Sequence, residues 1–279
     1  MSNSKFKKYM LVVACVTTLV FYGCTKKVEV ASTVQPHQEK QQTEVDKIKQ
    51  AGKIILGTSA DWPPSEFHKE INGKDTIVGY DISIAQEIAK DLGVQLEIKD
   101  MRFDGLLAAL QTGNVDFVLS GMAPTEERKQ SVDFSDIYHK GDQGVIIKTA
   151  DKNKLNDLSD LKGLKIGVQK GSMQVKIAKT QIETPNLKEL GKVSDLVLAL
   201  KSDKVDAVLC GVEVAKSYAK NNQDITVMDL KLKAEAQGAA AATKKGNLSL
   251  LTEINKTIKR LQDANMIEKF VAEAQQLAE

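Results

Sequence analysis

Short apolar runs alternate with segments of helical periodicity along most of this chain, and that alternation limits its possible folds more than any other feature. Residues Lys53–Thr58 form an apolar run typical of a buried strand, and residues 94–98 form the next one. Between them, apolar residues recur at helical spacing up to Gly93, namely Ile82, Ala85, Ile88, Ala89 and Leu92. Alternating strands and helices form βαβ crossovers, so the sequence predicts an α/β fold with mainly parallel sheets.

The alternation begins again in the second half, which predicts a second lobe of the same kind. Residues 113–116 (Gly-Asn-Val-Asp) and 203–206 (Asp-Lys-Val-Asp) each follow a predicted helix and precede a short apolar strand. Extended stretches at 143–148 and roughly 236–242 separate the halves. We therefore predict lobe 1 from residues 45–142 plus 237–279, lobe 2 from residues 143–236, and two hinge strands joining them. The cleft between hinged lobes is the expected ligand site.

Charge and cysteine content exclude several classes of function. The 39 Lys and Arg residues against 37 Asp and Glu leave a formal charge of +2, far from the basic excess of nucleic-acid-binding proteins. Three cysteines without a Cys-x-x-Cys pair provide neither a disulfide scaffold nor a zinc site. Cys210 ends an apolar strand and is expected to be buried. We expect no nucleic acid, no metal, no cofactor and a monomeric protein.

The first residues have the layout of an export signal. Lysines at positions 5, 7 and 8 precede an apolar stretch of roughly fourteen residues, which is too short to span a bilayer. Gly23-Cys24 then resembles the lipobox of bacterial lipoproteins, so we expect a signal peptide at 1–23 and lipidation of Cys24. A second box ends at Cys15 after too few apolar residues, and an unlipidated secretory signal is the alternative. Polar residues 24–44 are the expected tether, which places the protein at the extracellular face of the cell membrane.

Three segments resemble, in order and spacing, those of a known family. They are residues 57–64 (Gly-Thr-Ser-Ala-Asp-Trp-Pro-Pro), 79–84 (Gly-Tyr-Asp-Ile-Ser-Ile) and 120–128 (Ser-Gly-Met-Ala-Pro-Thr-Glu-Glu-Arg). The chain resembles the bacterial extracellular solute-binding proteins of family 3, although Ser83 stands where their signature has an acid. The resemblance implies a two-lobed periplasmic-binding-protein fold of type II that closes on a free polar amino acid. It also implies an ABC permease and its ATPase as partners.

Arg128 is the residue expected to bind a carboxylate. Its planar guanidinium offers two parallel charge-assisted hydrogen bonds, and Thr125 is placed to cap a short helix whose amides also favour an anion. The resemblance implies that Arg128 binds the ligand's α-carboxylate. Other residues of the same segment are included in the predicted site, namely Ser120, Gly121 and Ala123. The alternative is a surface arginine paired with Asp133 or Asp136.

The second lobe offers a complementary loop. Residues 167–174 predict a strand, a tight glycine turn and the start of a helix with exposed amides. The resemblance implies that this loop binds the other side of the carboxylate, through Gly171, Ser172, Met173 and Gln174. A phosphate-binding loop is excluded because the Gly-Lys-Ser/Thr ending is missing.

Two aromatic residues are expected to flank the ligand side chain. Trp62, the single tryptophan, lies in a proline-bounded turn where a core role is awkward, and the resemblance implies that it stacks on the ligand opposite Phe103. Flat walls favour a long or planar side chain, and a desolvated cation would gain ~1–2 kcal/mol there. Phe103 also begins an amphipathic helix, so packing in the core is its alternative role.

The partner of the ligand's ammonium is left open by the sequence. Gly211 occupies the position where the family usually has an acid, and Glu213, at the start of a helix, is expected to face differently. Ser59 stands where binders of basic amino acids often carry an acid, and Asp61 either substitutes for it or caps a turn. The aromatic walls favour arginine or lysine, whereas Ser59 favours a ligand such as glutamine.

Other functions on the same fold differ in what they require of the cleft. A sensor or adhesin would use the cleft, or the outer surface, without transport. A dehydratase needs a general acid and base, and neither a histidine–carboxylate pair nor two close carboxylates are evident in the sequence. We therefore expect a binding protein and not an enzyme.

Overall fold

The computed structural model describes residues 42–228 and 230–279, and the structural statements below refer to these ranges. The predicted signal peptide, Cys24 and the tether as far as residue 41 lie outside the described residues. Thr43 caps the first helix, because its hydroxyl accepts the amide of Asp46 while the Asp46 carboxylate accepts the amide of Thr43. Within the described ranges, no helix combines the length and apolar character needed to cross a membrane.

The helices and strands follow one another with short connections. The helices are α1 (Glu44–Ala51), α2 (Tyr80–Leu92), α3 (Leu106–Thr112), α4 (Glu126–Lys129), α5 (Met173–Gln181), α6 (Val193–Lys201), α7 (Val212–Lys220), α8 (Leu248–Asp263) and α9 (Met266–Leu277). The strands are β1 (Lys53–Thr58), β2 (Asp61–Trp62), β3 (Glu66–Ile71), β4 (Lys74–Val78), β5 (Gln95–Asp100), β6 (Phe117–Val118), β7 (Val132–His139), β8 (Gln143–Lys148), β9 (Lys165–Gln169), β10 (Asn186–Leu190), β11 (Ala207–Gly211), β12 (Ile225–Met228) and β13 (Ala239–Lys244). Short 3₁₀ turns occupy Phe103–Gly105, Thr149–Asp151 and Leu158–Leu161.

Lobe 1 is organised around a five-stranded sheet of order β5-β1-β6-β13-β7. Strand β1 is parallel to β5 and β6, so that Leu56 aligns with Ile98 on one side and Phe117 on the other. Strand β13 is antiparallel to β6 and β7. Apolar faces of α2 and α8 bury one core with this sheet, and α3 contributes to a second. Helix α2 ends where Gly93 adopts a left-handed backbone, as its position predicts.

Lobe 2 repeats this arrangement with a sheet of order β10-β9-β11-β8-β12. Strand β9 is parallel to β10 and β11, while β8 is antiparallel to β11 and β12. Helices α6 and α7 pack in one core of this lobe and α5 in the other. Cys210 is fully buried within it, as predicted.

Both lobes are α/β, as predicted, with mixed sheets. In each sheet four strands run in the same direction and one runs against them, namely β13 in lobe 1 and β8 in lobe 2. Strand β7 leads out of the first sheet into β8, and the chain returns after β12 to form β13. The two strands that begin after a crossing, β8 and β13, run against the strands on both sides of them. The predicted boundaries, at 142/143 and 236/237, fall between the strands of the two sheets.

Several elements were not predicted, and the small antiparallel sheet β2-β3-β4 shows why. Its strands β3 and β4 are largely exposed and polar, so they form no apolar run. A signal was nevertheless available. Asn72 and Gly73, both with positive φ, form the turn between these strands, and Asn-Gly is a strong hairpin signal. Helix α1 and strands β7, β10 and β12 were also not predicted.

Candidate ligand-binding site

A cavity between the lobes lies where the carboxyl ends of parallel strands meet. Residues just after β1 and β6 of lobe 1 line it, as do the last residues of β9 and β11 of lobe 2. The start of α5 and the chain crossings near residues 139–143 and 238–239 complete the wall. Strand ends in open α/β sheets are the usual place for ligands.

The cavity brings together twelve of the thirteen predicted ligand-binding residues. Those lining it are Ser59, Asp61, Trp62, Phe103, Ser120, Gly121, Ala123, Arg128, Ser172, Met173, Gln174 and Gly211. Gly171 does not line the cavity. It forms the tight turn before α5 with a φ of 75°, and its carbonyl accepts a hydrogen bond from Arg128. Ligand contact stays a prediction for all thirteen.

Arg128 is buried without a carboxylate partner among the described residues. Its Nη1 donates to the carbonyl of Ala123 at 2.8 Å, and its Nη2 donates to the carbonyl of Gly171, in lobe 2, at 3.0 Å. Burial lowers the pKa of Arg128 to about 10, so it stays protonated near neutrality. The alternative of a surface arginine paired with Asp133 or Asp136 is wrong, because Arg128 is buried and its guanidinium bonds to these two carbonyls. A buried guanidinium with only carbonyl acceptors is suited to an anion.

The start of α5 faces this guanidinium from lobe 2. Ser172 precedes the helix, and its buried Oγ has no hydrogen-bond partner in the described residues. It does not cap the helix, so hydroxyl and first amides both remain available. The side chain of Gln174 already has a hydrogen-bond partner, since its Nε2 donates to Oε1 of Gln143 at 2.8 Å.

Trp62 lies between two glycines, one from each lobe. A Cβ built on Gly121 would lie 3.1 Å from the indole Nε1, and one built on Gly211 would lie 3.3 Å from Cζ2. The indole therefore packs where a side chain at position 211 would begin. Phe103 combines both predicted roles, because it packs in a core of lobe 1 and also lines the cavity. The Arg128 guanidinium carbon lies 5.3 Å from its ring centroid.

Asp61 joins the lobes. Its Oδ1 accepts from the Ser59 hydroxyl at 2.9 Å, and its Oδ2 accepts from the amide of Val193 at the start of α6. Gln169 of lobe 2 also approaches the carboxylate at 3.4 Å. Burial raises the pKa of Asp61 to about 6. The sequence suggested that Asp61 either pairs with the ligand's ammonium or caps a turn. The structure shows a cap, but it lies at the start of a helix of the opposite lobe.

Further residues of the cavity were missed by the sequence analysis. They are Glu66, Tyr80, His139, Gly141, Asp142, Gln143, Gln169, Val212, Glu213, Gly238 and Ala239. Glu213 lines the cavity together with Gly211, contrary to the expectation that it faces differently. Its Oε2 lies 3.1 Å from Nε2 of His139, and this hydrogen bond raises the pKa of the imidazole. The expectation that the sequence holds no histidine–carboxylate pair is therefore wrong, because residues far apart in sequence form one.

Two buried carboxyl groups also meet at the cavity wall. Burial raises the pKa of both Glu66 and Asp81, and the charge of Asp81 raises the pKa of Glu66 further. Ser120 donates to Oε1 of Glu66 at 2.8 Å. The amide of Gly121 and the hydroxyl of Tyr138 each donate to Oδ2 of Asp81 at 2.9 Å. The sequence analysis found no such pair, because neither an apolar run nor a helical spacing links Glu66 to Asp81.

Two hinged α/β lobes with a polar cavity at their facing strand ends define a binding protein that encloses a small ligand. The chain belongs to the bacterial extracellular solute-binding proteins, family 3, whose pattern matches residues 54–273. Its fold is that of the type II periplasmic binding proteins, as predicted. Within the described residues, no group of His, Cys, Asp and Glu side chains is arranged to hold a metal ion.

Individual relatives agree with this assignment. The chain is 39% identical over 221 residues to the arginine-binding extracellular protein ArtP of Bacillus subtilis (strain 168). The aligned region covers 78% of this chain and 84% of ArtP. A solved structure of the amino acid ABC transporter substrate-binding protein AbpA from Streptococcus pneumoniae, bound to L-arginine, matches with a TM-score of 0.81 and 36% identity, over 84% of this chain and 98% of AbpA. The substrate-binding protein of another amino acid ABC transporter matches with a TM-score of 0.76 and 46% identity, over 80% and 98%.

Proposed function

We propose that this protein captures a free polar amino acid between its lobes, with Arg128 and the start of α5 holding the α-carboxylate. The observation that carries this proposal is the buried guanidinium without a carboxylate partner in the described residues, bonded across the cleft to the loop that presents the partnerless Ser172 hydroxyl. A buried cation and a buried hydroxyl both need partners, and one carboxylate supplies acceptors for both.

L-arginine is the ligand that the cavity favours. Four side chains of its wall carry carboxyl groups, whereas two are cationic or can become so. The acidic ones are Asp61, Glu66, Asp142 and Glu213, and the others are Arg128 and His139. Trp62 and Phe103 add flat surfaces that suit a guanidinium. ArtP and the arginine complex of AbpA support the same ligand class.

A ligand screen tests the proposal. Thermal unfolding is measured with each common amino acid, followed by calorimetry on those that stabilise the protein. A ligand at a hundred times its dissociation constant adds ~2.7 kcal/mol to the free energy of unfolding. We expect the largest shift with L-arginine, and recovery of the ligand unchanged in mass, as a binding protein requires. No stabilisation by any amino acid would refute the proposal, and turnover would point to an enzyme.

We also propose that the protein is a lipoprotein, anchored through Cys24, which delivers its ligand to an ABC permease and ATPase. The signal-like residues 1–23 support the anchor, and membership of the solute-binding family supports delivery. In the producing cell, Cys24→Ala is expected to move the protein from the membrane fraction to the medium and to reduce uptake of labelled arginine, while Cys15→Ala changes neither. Unchanged uptake in cells lacking the protein would favour the sensor or adhesin.

A further inference from the structure

Glu66 and Asp81 form a pair of carboxyl groups that needs a proton. Both side chains are completely buried, and Oε2 of Glu66 and Oδ1 of Asp81 receive no hydrogen bond from any donor of the described residues. The two groups are neighbours, because the hydroxyl of Ser120 donates to Glu66 while the amide of the next residue, Gly121, donates to Asp81. Two neighbouring ionised carboxylates repel each other, whereas a single shared proton supplies the missing donor.

The fixed donors around the pair decide which residue keeps the negative charge. Asp81 accepts from the amide of Gly121 and the hydroxyl of Tyr138, and it lies in the first turn of α2, where the helix dipole favours an anion. Glu66 accepts only from Ser120. The proton therefore belongs to Glu66, which is the member of the pair that lines the cavity.

Other titratable groups face this pair from the surrounding elements. The charge of Asp61 raises the pKa of Glu66, and the charge of Glu66 raises the pKa of Tyr80. Tyr138 donates a hydrogen bond to Asp81, and the charge of His139 lowers the pKa of Asp81. His139 is itself paired with Glu213. None of these supplies a cation in contact with Glu66. Among the described carboxylates, Glu127 is the one whose charge raises the pKa of Arg128. The hydrogen bonds of the Arg128 guanidinium within the described residues go to the carbonyls of Ala123 and Gly171, and neither Glu66 nor Asp81 is among its partners.

We propose that the Glu66–Asp81 pair reads the charge of the ligand's side chain, keeping its proton beside a neutral side chain and releasing it to solvent when a cationic one binds. The inference rests on the proposed function, since it requires the ligand's α-carboxylate at Arg128 and its side chain at Glu66, both of which line the cavity. Loss of the proton turns Glu66 from a donor into an anionic acceptor, which matches a guanidinium. L-Citrulline has nearly the shape of L-arginine without the charge, so it isolates this effect.

Calorimetry of the full-length protein in two buffers of different ionisation enthalpy counts the released protons directly. Between about pH 7 and pH 8, where Asp61 is already ionised, we expect release of close to one proton per L-arginine bound and none for L-citrulline. Because binding releases a proton, arginine affinity is expected to rise with pH, by at most about tenfold per unit. Arginine binding without proton release would overturn the inference and leave the proposed function intact.

Glu66→Gln tests the residue itself. The variant is expected to abolish proton release and to weaken arginine binding by roughly ten- to a hundredfold, while citrulline affinity changes little. Asp116→Asn is the matched control, because Asp116 is a partly buried carboxylate of lobe 1 outside the cavity whose pKa burial also raises. Equal proton release in Glu66→Gln and wild type would contradict the assignment. Should Glu66→Gln fail to fold, His139→Gln in the same two buffers decides, because His139 is the other cavity group whose raised pKa allows proton release here: release that persists in this variant supports Glu66, and its loss contradicts the assignment. Binding of another amino acid but of neither of these two would contradict L-arginine as the ligand, whereas failure of every amino acid to bind would contradict the proposed function.

Discussion

The two lobes share one sheet topology but supply the cavity with different chemistry. Lobe 1 places buried ionisable side chains at the cavity, including Asp61, Glu66 and Arg128. Lobe 2 supplies backbone hydrogen-bond partners for two of them: the Val193 amide donates to Asp61, and the Gly171 carbonyl accepts from Arg128. Bringing a second buried charge to the cleft would require its desolvation, which dipoles largely avoid. Lobe 1 therefore carries most of the charge recognition, and lobe 2 completes the enclosure.

The largest effect that this comparison predicts is at Arg128. Arg128→Ala removes the buried cation of lobe 1, and we expect amino-acid affinity to fall by at least about tenfold, towards a hundredfold, since hydrogen bonds to charged groups contribute ~1.5–3 kcal/mol. Calorimetry measures the affinity, and circular dichroism checks that the fold is retained. Arg260→Ala is the control, because Arg260 pairs with Glu87 and Asp91 on the surface. Unchanged affinity in Arg128→Ala would remove the carboxylate assignment.

The sequence alone predicts several strands and helices of this protein better than it predicts the residue pairs of its cavity. Local signals predicted β1, β8 and α5 with the ends that the structure shows, because apolar runs and glycine turns are properties of neighbouring residues. The same signals led to the strand ends that line the cavity. They could not lead to His139 with Glu213, since that pair depends on how the chain crosses between the lobes.

The partner of Asp61 in the other lobe was not predicted, for a related reason. The sequence places Asp61 beside Ser59 and Trp62, which suggests a ligand contact or a local turn. Its actual partner, the Val193 amide, belongs to the other lobe and lies 132 positions further along the chain. Composition and spacing carry no information about a contact that only lobe closure creates.

Asp61→Asn tests whether this contact between the lobes contributes as a buried anion. An acid whose folded pKa is raised, here to about 6, destabilises the folded state while ionised, and this penalty is relieved as pH falls from about 6 towards the unfolded value. Between about pH 7 and pH 5, the ligand-saturated wild type should therefore gain about 1 kcal/mol relative to Asp61→Asn. Urea unfolding measures the difference, and Asp136→Asn, at an exposed acid, serves as control. Parallel pH profiles of wild type and Asp61→Asn would contradict the prediction.

Gly211→Ala tests the part of the cavity wall that lobe 2 contributes. In Gly211→Ala the new methyl group lies 3.3 Å from the indole of Trp62, so the ring must shift or the lobes must close less completely. We expect affinity to fall by about fivefold, corresponding to roughly 1 kcal/mol. Gly141→Ala is the control, because Gly141 also lines the cavity but a Cβ there meets nothing within 4 Å. Equal affinities in the two variants would show that the indole has room to move.

The smallest effect is expected where the lobes meet through exposed charges. Lys170 of lobe 2 lies 3.2 Å from Asp104 of lobe 1, with 54% of the lysine side chain exposed. Exposed pairs contribute about 0–1 kcal/mol and are screened by salt, so Lys170→Met should change affinity by less than about fivefold, and less again at high ionic strength. Lys192→Met is the informative partner, because Lys192 reaches Asp100 at 2.9 Å with only 30% of its side chain exposed. A larger loss in Lys170→Met than in Lys192→Met would mean that surface charge, and not buried dipoles, holds lobe 2 against lobe 1.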